Sequence, residues 1–322
     1  MLTPERVDAQ RSIAPSEHHP HRSNAYVLAL AMLDRYARSG VPVLIEGESG
    51  TGKTLLARRV HDQSPRVGRA YHAVALSSVD DTLAGSELFG HVVGAFTDAR
   101  ASRAGMFASA HGGTLFLDEI GKASPVVQRR LLHAIEAHQV RPMGTDRDVA
   151  VDVRIVAATN IPLATLVDQG SFLPDLYARL ETFRVRVPPL RERQADIPDL
   201  VRDAVRAHST ECGYTTPPEI EPALLQALQH ERWPNNLRQL DAAVYRLLLD
   251  AEGAGVLTLA MYPHSQLEQH GHSQSTRAIE DHRFADAIRD SAKQIDAARK
   301  LGVHRTTVYR RSKRLKPGDG EK

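Results

Sequence analysis

The chain changes its hydrophobic rhythm more than once. Between residues 24 and 39 apolar side chains recur at helical spacing (Val27, Leu28, Leu30, Ala31, Leu33), which predicts a helix over Asn24–Ser39. Short apolar runs follow at Val43–Ile45, Tyr71–Leu76, Thr114–Leu117 and Val153–Ala158, each compact enough to be a buried strand. Helical stretches such as Leu55–His61 lie between them. Strands alternating with helices predict an α/β domain over residues 24–187, a parallel sheet wrapped by helices. Pro188 and Pro189 break the alternation, and helical spacing without strands runs on to Leu249, predicting a helical domain over 188–252. Residues 253–280, rich in Gly, Ser, His and Gln, read as a linker. Residues 1–23, polar and with Pro4, Pro15 and Pro20, read as a flexible extension. Within an all-α segment at 281–322, helical spacing returns over Ala292–Leu301, pauses at Gly302-Val303 and resumes over His304–Leu315. Helix, tight turn, helix is the helix-turn-helix pattern.

Composition narrows the class. Of 322 residues 42% are hydrophobic and 25% charged, which fits a globular protein with a real core. No apolar run approaches the ~20 residues of a membrane-spanning helix, and the N-terminus lacks a signal-peptide core. The single cysteine, Cys212, cannot close an internal disulfide, and the expectation is a cytoplasmic protein. His18, His19 and His21 lack a second ligand cluster and read as solvated histidines. Net charge is only +2, yet Arg283–Lys316 holds eleven Lys or Arg against three Asp. A basic tail on a mildly acidic body points to a polyanion partner for the tail. Arg305, Thr306, Thr307 and Arg310 fall on the first half of the second helix, where side chains meet base edges. Arg311, Lys313 and Arg314 fall nearer phosphates. DNA is the expected partner of this segment.

Two constellations carry chemistry. Gly47-Glu48-Ser49-Gly50-Thr51-Gly52-Lys53-Thr54 follows a strand-like run and leads into a helix. The glycines let several backbone N–H groups turn toward one phosphate chain, and the helix N-terminus adds its positive field. Lys53 reaches terminal phosphates, and the Thr54 hydroxyl suits Mg²⁺. A glycine-rich surface turn is the competing reading of the loop alone. The second constellation, Asp118-Glu119, ends the apolar run Thr114–Leu117, at the strand edge where ligands bind in open α/β sheets. Asp118 suits the Mg²⁺ shell and Glu119 an attacking water, so the pair adds triphosphate hydrolysis to binding. Taken alone, the same pair also reads as an exposed cap of the next helix.

Beyond these motifs the chain resembles the bacterial enhancer-binding proteins, the AAA+ activators of sigma-54 RNA polymerase. Glu87-Leu-Phe-Gly90 and Gly94-Ala95-Phe96-Thr97-Asp98-Ala99 are similar to the family's ELFG and GAFTGA segments. The resemblance implies that Gly94, Ala95, Phe96 and Thr97 touch sigma-54. Ala158-Thr159-Asn160 resembles the strand that senses the terminal phosphate, and Trp233-Pro-Asn-Asn-Leu-Arg238 the lid segment whose arginine is a second sensor. Phe172–Leu180 resembles the segment whose arginines enter a neighbour's site, which implies Arg179 acting in trans within a hexameric ring. It also implies an AAA+ three-layer αβα fold with a helical lid, ATP and Mg²⁺ as cofactors, and a Fis-like DNA-binding tail.

The chain departs from that pattern in three places. Ala75 stands where an asparagine usually restrains the catalytic glutamate. Leu173 stands where the first interface arginine is usual, and losing such a charge costs on the order of a thousandfold in rate. Asp98 replaces the loop's second glycine. The expected function is a DNA-bound ATPase that remodels the sigma-54 polymerase complex from upstream sites. The rival expectation is a hydrolysis-impaired nucleotide-binding DNA regulator, or a partner subunit in a mixed ring.

Overall fold

The computed structural model describes residues 23–77, 81–96 and 99–262. The expected extension over 1–22 and everything from 263 on, including most of the expected linker and the helix-turn-helix residues, lie outside them, as do Thr97 and Asp98. The Ser23 hydroxyl accepts the Tyr26 N–H and opens α1 (Asn24–Ala37). The predicted helix is there, but its buried face is Tyr26, Ala29, Leu33 and Ala37, while Val27 and Leu28 are exposed. Small residues at 29 and 37 let the helix lie close to its neighbours. Meanwhile Tyr36 stacks on Phe183 at 4.3 Å and the Arg193 guanidinium sits over the Tyr26 ring at 4.4 Å.

The α/β part continues with β1 (Val43–Glu46), α2 (Lys53–Asp62), β2 (Tyr71–Ala75) and α3 (Asp81–Phe89). A short antiparallel ribbon, β3 (Gly90–His91) with β4 (Arg103–Ala104), precedes α4 (Met106–Ser109) and β5 (Thr114–Asp118). Then come α5 (Pro125–Ala137), a second ribbon of β6 (Gln139–Val140) and β7 (Val149–Ala150), and β8 (Arg154–Thr159). The helices α6 (Leu163–Asp168) and α7 (Pro174–Leu180) lead to β9 (Phe183–Arg186). The main sheet runs β2-β5-β8-β1-β9, every pair parallel. Period-two alternation makes it the middle of three layers. Leu44, Leu115, Leu117, Ile155 and Ala157 join one core with α3 to α7; Val43, Ile45, Phe116, Val156 and Ala158 join the other with α1 and α2.

All four predicted strands are present, and the apolar runs did not announce β9. Its sequence Phe-Arg-Val-Arg fully buries only Val185, because it is an edge strand paired on one side to β1. The helical part comprises α8 (Ile197–His208), α9 (Pro222–His230) and α10 (Asn236–Asp250). Residues 253–262 open the stretch that reads as a linker, yet there β11 (Val256–Leu257) pairs in parallel with β10 (Glu219–Ile220). Trp233 is wholly buried, and its indole N–H donates to the Leu228 carbonyl at 2.9 Å. Among the described residues no helix is long and apolar enough to cross a membrane.

Arg154 ties two layers together. It starts β8, is buried, and donates to the Tyr36 carbonyl at 2.7 Å and to the Ala37 carbonyl, capping the C-terminus of α1. Burial pushes its pKa down to about 10. Arg154→Met keeps the volume but takes the Arg154 bond from the Ala37 carbonyl, while the Tyr36 carbonyl keeps the Ser39 N–H and hydroxyl. The expected loss is about 3 kcal/mol of unfolding free energy in urea titrations at unchanged m-value.

Candidate nucleotide site and its lid

The phosphate loop runs from the end of β1 into α2, which begins at Lys53 rather than at Leu55. Lys53 and Thr54 therefore occupy the first helical turn, where backbone N–H groups lack intrahelical partners. Gly52 caps the helix at φ 98, a conformation that disfavours any side chain. The Gly47 N–H donates to the Thr159 carbonyl at 3.1 Å, and Thr51 Oγ1 donates to the Glu48 carbonyl at 2.8 Å. Lys53 is buried, with Nζ donating to the carbonyls of Gly47 (2.7 Å) and Glu48 (3.0 Å).

The acidic pair ends β5, two strands from β1 with β8 between. Asp118 Oδ1 accepts the Glu119 N–H at 3.0 Å, and Glu119 turns left-handed at φ 55. Burial lowers the Lys53 pKa against the pull of Asp118 and Glu119, and burial raises that of Asp118 against the pull of Lys53. Ammonium and carboxyl thus share one partly desolvated space. Asn160 is half-buried just past β8, whose Thr159 is paired to Glu46 beside the loop. Thr54 is exposed at the start of α2.

The lid closes directly on the loop, and most of that contact was invisible in the motifs. Arg238 Nη1 donates to Ser49 Oγ at 3.2 Å. Arg191 grips the Glu48 carboxylate with two bonds of 2.7 and 2.8 Å and holds its pKa below the usual range. Arg193 Nη2 donates to the Thr51 carbonyl at 3.2 Å. Asn236, fully buried, accepts the Leu190 N–H at 2.7 Å and donates to the Ser49 carbonyl (3.0 Å) and Glu48 Oε2 (3.3 Å). A Cβ on Gly50 would lie 2.2 Å from the Asn235 carbonyl oxygen, so the lid's approach itself demands glycine there.

Other expected site residues sit apart from the loop. Arg179, at the end of α7, is exposed and pairs with Glu136 Oε1 of α5 at 2.8 Å. Leu173 packs against the core, and its N–H donates to Gln128 Oε1 at 2.8 Å. Ala75 is the register partner of Asp118 and brings only a methyl group. In the Gly94–Phe96 turn, Gly94 has φ 80 and donates to the Ala99 carbonyl at 2.9 Å. Phe96 is half-buried, its ring edge-on to His91 at 5.0 Å, and Val93 is exposed. The second ribbon supports this turn: Val92 N–H donates to the Met143 carbonyl at 3.0 Å and Gly144 lies against Ala95.

A strand, glycine loop and helix beside a carboxylate-tipped strand mark the P-loop nucleotide-binding class. Residues 21–186 match the sigma-54 interaction domain, residues 191–279 match the AAA+ ATPase lid domain, and the chain belongs to the sigma-54 interaction domain family. It is 40% identical over 285 residues to the transcriptional regulatory protein ZraR of Klebsiella oxytoca, covering 84% of this chain and 63% of that one. To the DNA-binding transcriptional regulator NtrC of Klebsiella pneumoniae it is 44% identical over 227 residues, 70% of this chain and 48% of that one. The crystal structure of NtrX from Brucella abortus superposes with a TM-score of 0.70 at 30% identity, covering 91% of this chain and 68% of that chain. NtrX has also been solved in complex with ATP, and that structure matches with a TM-score of 0.68. The chain spans between 41% and 63% of the length of the first curated relatives it matches.

Asn236 adopts φ 52, so its replacement tests backbone and side chain separately. Asn236→Ala and Asn236→Gly both lose three hydrogen bonds of the junction. Thermal unfolding should place both below the wild type by about 2–4 kcal/mol, with the glycine variant about 1 kcal/mol above the alanine variant.

Proposed function

We propose that the protein is an ATP-hydrolysing transcription activator that acts on the sigma-54 polymerase holoenzyme from upstream DNA. The single observation behind this reading is the phosphate loop held between the Asp118–Glu119 strand end and a lid that reaches it through Arg238, Asn236 and Arg191. Backbone N–H groups of Gly47 to Thr54 and the Lys53 ammonium bind the phosphates. Asn160 and Arg238 flank the terminal phosphate, and Glu119 orients the attacking water. The donor set suits magnesium held jointly with phosphates, which needs only one or two protein oxygens; Thr54 and Asp118 would hold it. Bound magnesium neutralises charge on the transferred phosphoryl group. Arg179, exposed and distant from its own loop in the contacts it makes, serves a neighbouring subunit in a hexameric ring.

The remaining parts follow the family likeness. Residues Gly94, Ala95, Phe96 and Thr97 contact sigma-54, with Ala95 lying against Gly144 in the loop of the second ribbon. Residues 281–322 bind DNA, with Arg305, Thr306, Thr307 and Arg310 toward bases and Arg311 and Lys313 toward phosphates. Residues 253–280 connect them to the ring.

Phosphate release at rising protein concentration is the direct test. Turnover per subunit should climb as rings assemble, Glu119→Gln should lower it by about 10² to 10³, and Arg179→Ala should remove the concentration dependence. No turnover at any concentration overturns the enzyme reading. Ala75 and Leu173 favour a second reading, a weakly hydrolysing partner in a mixed ring. Under it, Ala75→Asn combined with Leu173→Arg raises turnover by about tenfold or more, and under the first reading it does not.

A further inference from the structure

Glu119 leaves β5 in a left-handed conformation and begins a single 3₁₀ turn, Ile120–Lys122. The Lys122 N–H donates back to the Glu119 carbonyl at 2.9 Å, which folds the lysine over the residue three positions earlier. That turn has little freedom. Ile120 is fully buried, and a Cβ on Gly121 would meet Leu166 Cδ1 at 2.8 Å and Thr159 Oγ1 at 3.1 Å. The turn is wedged between α6 and the end of β8. Lys122 Nζ lies 3.5 Å from Glu119 Oε2, an oxygen that is buried and has no hydrogen-bond partner.

Across the sheet, the place from which a polar side chain could reach Glu119 is vacated. Asp118 pairs in register with Ala75, and a methyl group holds no carboxylate. The charge of Lys122 is also felt by Lys53 and Asp118, so its ammonium stands within the field of the phosphate site. The two carboxylates thus feel two ammoniums, one from the loop and one from the turn.

Building on the ATPase reading above, we propose that Lys122 is the positioning residue for Glu119, fixing its carboxylate toward the water it orients. The contact is an ion pair at the outer limit of hydrogen bonding, so Oε2 keeps its lone pairs for that water. A pair with a lysine this exposed contributes little to folding, while misplacing a catalytic group by about 1 Å costs up to ~100-fold in rate. Removing the ammonium should therefore appear in turnover and scarcely in stability.

The experiment uses the full chain at a concentration where wild-type turnover has reached its plateau. Lys122→Ala and Lys122→Met should each lower kcat by about tenfold, with ADP affinity by calorimetry within about twofold of wild type. Lys122→Arg should restore most of the rate. In the Glu119→Gln background, Lys122→Ala should produce no further fall, because both changes remove the same function. An unchanged kcat in both neutral variants overturns the inference while leaving the ATPase reading intact. So does a loss of ADP affinity that matches the loss of rate, which would mark Lys122 as a phosphate contact, and so does an undiminished effect in the Glu119→Gln background. Absence of turnover in the wild type overturns both readings together.

Discussion

The backbone of the Trp233–Asn236 turn comes so close to the phosphate loop that the two segments cannot be separated without rebuilding both. Gly50 accommodates the Asn235 carbonyl, and the Leu237 N–H donates to the Gly50 carbonyl at 2.9 Å. Asn236 uses its carbonyl oxygen and its amide nitrogen at once, on Leu190 and on the loop. A buried amide satisfied in this way tolerates little displacement, since each broken bond leaves a polar group away from water. The loop's shape, the lid's entry angle and the reach of Arg238 all follow from this one junction. Movement of the lid is thereby movement of the loop.

Charge is arranged to the same end. Lys53 is buried against loop carbonyls, Asp118 is partly desolvated at the strand edge, and Glu119 is turned aside by its left-handed backbone. Burial presses Lys53 and Asp118 toward neutrality, and their mutual attraction resists it. A triphosphate with its cation brings opposing charges into this space, which suits a site whose own groups are incompletely hydrated. The Glu48–Arg191 pair, by contrast, is half exposed; its bidentate geometry orients the loop and adds little to stability.

The departures from the family pattern take on physical meaning once placed. Leu173 is engaged with the core and with Gln128, so its position serves packing. Arg179 is left as the exposed cation of its helix end, held by Glu136 across to α5. Ala75 stands opposite Asp118 and offers it only a methyl group. The loop around Phe96 is braced by His91 and by the second ribbon, which makes its position depend on residues 139–150 as much as on its own glycine.

Local order was legible in the chain where apolar runs are nearly continuous, from burial on both faces in β1, β5 and β8 and from a mostly apolar sequence in the edge strand β2, which fully buries only Val74. Val43–Ile45, Tyr71–Leu76, Thr114–Leu117 and Val153–Ala158 each mark a strand of the main sheet, and the glycine loop marks the site between β1 and α2. The edge strand β9 escaped, since Arg184 and Arg186 alternate with its apolar residues. The buried face of α1 escaped as well, because spacing cannot say that Tyr26 and two small alanines, rather than Val27 and Leu28, meet the neighbouring layer. Arg191, Arg193 and Lys122 carry no motif that points to the site, and Asn236 lies in the lid segment whose named residue was Arg238. Arg191, Arg193 and Asn236 reach the loop only when distant segments pack, which periodicity does not encode, and Lys122 meets Glu119 because the short turn joining them is held against α6 and the end of β8.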